Sequence, residues 1–205
     1  MYSPEPLSSA SDAEKTAYAF GVLYAHVLQT TVTKDKLTTL ALDQRGDWQH
    51  WKWVVSALDG VKPRSFRLTD GTWLFAAQTL GVRESSREPG NRWLTTLNYT
   101  YQLQANEDNS SWIVRWCYSR ERDGELLPPG ERAHIHVNAR PSDYSAGHFP
   151  DLHLPAGRIA IEDLVAYLIG PEIGCPAISD RANEVIDEAR EIFAQIQGRA
   201  PSLAR

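Results

Sequence analysis

A chain of 205 residues is long enough to bury one sizeable core, so it can fold without disulfides or a structural metal. Hydrophobic residues at 42% and charged residues at 23%, with seven tryptophans and eight tyrosines, point to a globular chain and exclude a disordered one. A net charge of −5 excludes nucleic-acid binding through bulk charge, and no apolar run approaches the ~20 residues of a membrane span.

Residues 1–10 are rich in proline and serine and read as a loose tail. Ser11-Asp-Ala-Glu14 has the form of a capping box, and Ala17, Phe20, Leu23, Tyr24, Val27 and Leu28 form a helical stripe behind it. Lys36 to Leu42 reads as a strand, followed by a turn from Asp43 to Asp47. Trp48, Trp51, Val55 and Leu58 then fall at helical spacing before Asp59-Gly60, although Trp51, Trp53 and Val55 fit a strand as well. Phe66 to Phe75 carries the Asp70-Gly71 signal of a tight hairpin, and residues 83–92 form a polar loop. From Trp93 onward the period is two. Leu97, Tyr99, Tyr101 and Leu103 alternate, and so do Trp112, Val114, Trp116 and Tyr118, which predicts neighbouring antiparallel strands. A third strand is expected from Arg132 to Ala139. Two helices close the chain, one with Ile161, Leu164, Val165 and Leu168 on a face, the other with Val185, Ile186, Ala189, Ile192, Phe193 and Ile196.

The expected fold is therefore α+β: an antiparallel sheet of about five strands, with N-terminal helices and two C-terminal helices packed on it. A single domain spans 1–205, with a helix and hairpin region at 11–92, the sheet at 93–158 and the closing helices at 159–198. Residues 159–197 hold eight acids and two arginines, so the last helix could pair with a basic protein partner or form an oligomer seam. A local basic set (Lys62, Arg64, Arg67, Arg83, Arg87, Arg92) is the one route to nucleic acid through charge, and scattered solvated arginines are its simpler explanation. Cys117 and Cys175 form no paired motif and read as buried free thiols. With no secretory signal read at the N terminus, a cytoplasmic location is expected.

Four of the six histidines fall between positions 134 and 153. On the third strand Ala133, Ile135 and Val137 should face the core, which places Arg132, His134, His136 and Asn138 on the other face. Two imidazoles at this spacing can flank a phosphodiester as general base and general acid, since their ordinary pKa of about 6.5 lies near neutral pH. Arg158 is the candidate phosphate-stabilising partner, and Arg132, Asn138, His148 and His153 are candidate substrate-binding residues. Trp112, Trp116 or Tyr118 would stack bases if they shared that face. No Gly-x-Ser-x-Gly, phosphate-binding glycine loop or cysteine nucleophile is present, and no cofactor is expected. A metal on the same histidines is the alternative chemistry, with a third ligand from His148, His153, Asp151 or Glu131.

The succession of Tyr99-Thr-Tyr101, Ile113 to Tyr118, His134-Ile-His136 and Glu162-Asp163-Leu164-Val165 resembles the TumE-like toxin components of bacterial toxin–antitoxin pairs. The resemblance covers roughly residues 97–169. Trp116-Cys117-Tyr118 stands where that family has acidic and amide residues. What the resemblance implies is a toxin or defence context and an activity directed at RNA. The expectation is thus a ribonuclease-like protein using His134 and His136. Its alternatives are a non-catalytic interaction subunit and a metal-dependent enzyme.

Overall fold

The apolar stripes and alternating segments sort into one sheet with helices on one of its faces. The computed structural model describes residues 8, 10–44, 50–57, 64–84, 90–108, 112–122, 125–138, 152–171 and 173–197. Helix α1 (Ala10–Thr31) precedes strands β1 (Leu37–Gln44), β2 (His50–Ala57), β3 (Phe66–Arg67), β4 (Trp73–Glu84), β5 (Arg92–Gln104) and β6 (Trp112–Ser119). A small hairpin, β7 (Glu121–Arg122) with β8 (Glu125–Leu126), and the short helix α2 (Pro129–Arg132) lead to β9 (Ala133–Val137). Strand β10 (Leu152–Pro155) and helices α3 (Ile161–Ile169) and α4 (Ala182–Ile196) complete the order.

Among the described residues, eight strands form one antiparallel sheet in the order β1-β2-β4-β5-β6-β9-β10, with β3 beside β4. The fold is α+β as expected, and the sheet gains width where the sequence pattern was ambiguous. Of the segment from Trp48 to Leu58, expected as a helix with a strand as the alternative, His50–Ala57 are strand β2, which pairs with both β1 and β4. Helix α1 begins at Ala10, ahead of the expected Ser11 cap, and the Ser8 hydroxyl donates to the Asp12 carboxylate.

Alternation decides which side of the sheet is covered. Leu74, Ala76, Leu80, Leu94, Tyr99, Tyr101, Leu103, Trp116 and Tyr118 are buried in one core with Phe20, Tyr24, Leu28, Leu164, Leu168 and Phe193 of the helices. Aromatic rings join the layers: Tyr24 lies 6.3 Å from Tyr101, and Tyr167 meets Trp116 edge-on at 6.0 Å. Helix α4 packs chiefly on α1 and α3 and so forms an outer layer, where direct packing on the sheet was expected. The C-terminal end of α1 is tied down by its neighbours. Thr33 Oγ1 donates to the Arg67 carbonyl at 2.5 Å, and the Ile178 amide donates to the Thr31 carbonyl at 2.8 Å. The Asp70-Gly71 turn forms as expected, with Gly71 at φ 91° and the Thr72 amide donating to Asp70 Oδ1 at 2.9 Å. Among the described residues no helix is long and apolar enough to cross a membrane.

A polar layer is enclosed between sheet and helices. Gln78 Nε2 donates to Thr96 Oγ1 at 2.7 Å and Tyr101 Oη donates to Gln78 Oε1 at 3.2 Å, so these buried groups satisfy one another. Glu162, in the first turn of α3, is 8% exposed, and burial pushes its carboxyl from 4.5 up to about 7. Neighbouring Asp163 raises it further, while Arg158 and Arg190 act in the opposite direction. Below the unfolded value both states hold the proton and burial of the acid costs little. As pH rises toward 7 the unfolded chain ionises while the folded one resists, so stability falls, then levels off above about 7. Glu162→Gln is expected to flatten this dependence and to add about 3 kcal/mol at pH 8, read from urea denaturation at pH 5 and pH 8. Equal pH profiles for the two proteins would remove Glu162 as the cause.

Candidate metal centre

The face of the sheet turned away from the helices carries the candidate chemistry, and its layout follows from register. Two rows of side chains cross the strands. One runs Phe75, Gln102, Arg115, His136, and the other Ala77, Thr100, Cys117, His134. Cross-strand partners in an antiparallel pair share a face, so His134 and His136 join Cys117 and Arg115, while Ala133 is buried and Ile135 packs on the core. The facing expected from His-x-His alternation is therefore what the structure has.

The imidazole centroids of His134 and His136 are 4.7 Å apart, with their planes at 70°. Donor atoms of Cys117, His134 and His136 all lie within 4.8 Å of one another, and all three residues are half-buried. Among the described residues this is the one grouping of three or more histidine, cysteine or acidic donors that could hold a metal ion. Tetrahedral zinc with Zn–N near 2.0–2.1 Å and Zn–S near 2.3 Å places its donors roughly 3.3–3.6 Å apart. Movement of about 1 Å by side chains already on the right face closes the difference. Burial pushes the Cys117 thiol up, with the Arg115 guanidinium and a hydrogen bond with Thr100 pulling it back.

Trp112 borders this group. Its ring meets His136 edge-on at 6.5 Å, and the Arg115 guanidinium carbon sits 4.8 Å from its centroid. Arg115 Nε donates to Gln102 Oε1 at 2.6 Å, which holds the guanidinium in place.

Searches against protein-family models, curated proteins and solved structures find no match to this chain. Function must therefore be read from the arrangement of side chains.

The structure divides the set of residues singled out from the sequence. Arg158 does not join the histidines. After β10 the backbone crosses the sheet edge, with the Ala156 amide donating to the Ala133 carbonyl and the Ile159 amide donating to Tyr99 Oη at 2.7 Å on the helix side. The Arg158 guanidinium consequently lies 5.7 Å from the Tyr118 ring centroid and donates to Thr96 Oγ1 at 2.7 Å and Gln197 Oε1 at 3.2 Å. It clamps α4 to the sheet from the opposite face. Arg158→Ala is expected to cost about 1–3 kcal/mol in chemical denaturation and to leave metal binding unchanged. A loss of metal affinity in this variant would return Arg158 to the site.

Asn138 serves the ladder, its Nδ2 donating to the Trp112 carbonyl at 2.9 Å. Arg132 ends α2 and its Nε donates to the Leu127 carbonyl at 2.7 Å. Trp116 and Tyr118 are core residues, so of the three aromatics only Trp112 borders the histidines. The backbone register sets His153 opposite His136, but its side chain, like His148 and Asp151, lies outside the described residues. Cys117 is the functional candidate that sequence reading passed over. Its parity gave a usable signal: with Trp116 and Tyr118 inward, Cys117 has to project toward the histidine face.

Proposed function

We propose that this protein is a metal-dependent enzyme whose Cys117, His134 and His136 hold a single transition-metal ion. The observation that carries this reading is the convergence of one thiol and two imidazoles within 4.8 Å on a rigid sheet face. A thiolate with two imidazoles suits zinc or a similarly soft divalent ion and disfavours magnesium or calcium, which take oxygen ligands. Three donors from the described residues match the protein ligand count of catalytic zinc sites, in which a fourth position serves water or substrate. An ion held there would act as a Lewis acid toward an oxygen of the substrate or toward a water. Equilibrium dialysis of purified protein against zinc or cobalt(II) tests this reading. One ion per chain is expected, and cobalt should give thiolate-to-metal charge-transfer absorption. Absence of binding at micromolar metal would sink it.

A second reading uses the same imidazoles without metal, as general acid and base on an RNA phosphodiester. Trp112 beside His136 favours it as a stacking surface, as does the resemblance to TumE-like toxins. That reading requires RNA cleavage that persists in excess chelator and growth arrest on overexpression, both relieved by His136→Ala.

A further inference from the structure

We infer that the substrate of this centre bears an oxyanion, phosphoryl or carboxylate, and that Arg115 is the residue that receives it beside the metal. The inference rests on the metal reading above and adds its ligand class. Arg115 stands in the same row as His136, directly across the ladder, and two residues before Cys117 on the same strand face. It is half-buried, and among the described residues no carboxylate lies within ion-pair distance of it. Among the described residues its hydrogen-bond partner is the neutral amide oxygen of Gln102, bound through Nε. That bond, with Trp112 against the guanidinium plane, fixes the group while leaving its two terminal nitrogens for another acceptor.

The Cys117 thiolate offsets only one of the two charges of a divalent ion, so a centre of net positive charge would stand beside the Arg115 guanidinium, a field that attracts an anion. One oxyanion answers both charges: one oxygen would take a fourth coordination position and another would accept from the guanidinium. The fork of an arginine matches such a group better than the point charge of a lysine. Small side chains flank the position. Ala77 and Thr100 occupy the row that holds Cys117, whereas Phe75 and Gln102 occupy the row that holds Arg115, so bulk is kept off the thiol side. Gln102 is buried and acts as a positioning residue for Arg115.

The test uses the full chain loaded with cobalt(II), with inorganic phosphate and acetate titrated separately and the visible bands of the ion as readout. At least one of the two should shift the bands saturably in wild type. Arg115→Ala should weaken that response tenfold or more, and Arg115→Lys should weaken it less, while one cobalt ion per chain is still bound in both variants. Whichever of phosphate and acetate acts at the lower concentration identifies the class of substrate. If cobalt binds but neither anion shifts its bands, or if Arg115→Ala responds like wild type, the inference about Arg115 fails and the metal centre stands. If cobalt does not bind at all, the metal reading fails first, and this inference goes with it.

Discussion

Cys117→Ser is expected to weaken zinc binding by two to three orders of magnitude, measured by competition with a chromophoric chelator, while the melting temperature stays near wild type. Four-ligand structural zinc sites bind with apparent free energies of about 10–16 kcal/mol, so a single ligand accounts for roughly 3–4 kcal/mol, or about 10²–10³ in affinity. Serine retains the size of the side chain and a hydroxyl able to replace the thiol in its bond with Thr100, so the fold has little reason to respond. His136→Ala should produce a loss of the same order, and replacing both histidines should abolish binding. These residues sit on the face away from the helical core, so stability and metal affinity should separate cleanly. Affinity that is unchanged in Cys117→Ser would mean that the thiol is a bystander. The histidines alone would then have to be reconsidered as an acid–base pair.

The largest effect on stability is expected from Phe193→Ala, at about 3–5 kcal/mol and a fall in melting temperature of roughly 10 °C. Phe193 is buried on α4, and its ring centroid lies 4.7 Å from that of Phe20 on α1. Because α4 packs chiefly on α1 and α3, this contact is a principal tie of the outer helix to the rest of the protein. The neighbouring residue supplies the control: Ile192 is 41% exposed, and Ile192→Ala should change stability by no more than about 0.5 kcal/mol. Similar losses for both variants would contradict the observed facing of the helix. The surface ion pairs of Arg190 with Asp163 and Asp187 should be far weaker ties, since exposed pairs contribute little.

Much of this was legible in the sequence, for reasons specific to each segment. The period of two across Leu97 to Leu103 and Trp112 to Tyr118 announced β5 and β6 because the apolar side chains of each strand are turned to the helical side, although β5 ends with four buried residues in succession, Tyr101 to Gln104. His134-Ile-His136 announced its own facing for the same reason. Strand β2 was ambiguous because Trp51 and Val55 satisfy helical spacing while Trp51, Trp53 and Val55 satisfy alternation. Pairing on both sides, with the preceding strand β1 and with β4, settled it. Cys117 escaped because parity assigns a face but not a neighbour. Only the register of β6 against β9 brings it opposite His134. Arg158 is separated from the histidines because the chain turns over the sheet edge before α3, and no local pattern in residues 156–160 encodes that crossing.

The two rows that cross the sheet also set how this protein can vary. In a ladder of period two, slipping β9 by one residue would exchange His134 and His136 for Ile135, emptying the polar face and forcing imidazoles into the core. Length changes within β9 therefore damage fold and site together. The β7–β8 hairpin and α2, which precede β9 and lie largely exposed, can lengthen or shorten without moving that register. Drift in length should collect between Glu121 and Arg132 and spare the five residues that follow.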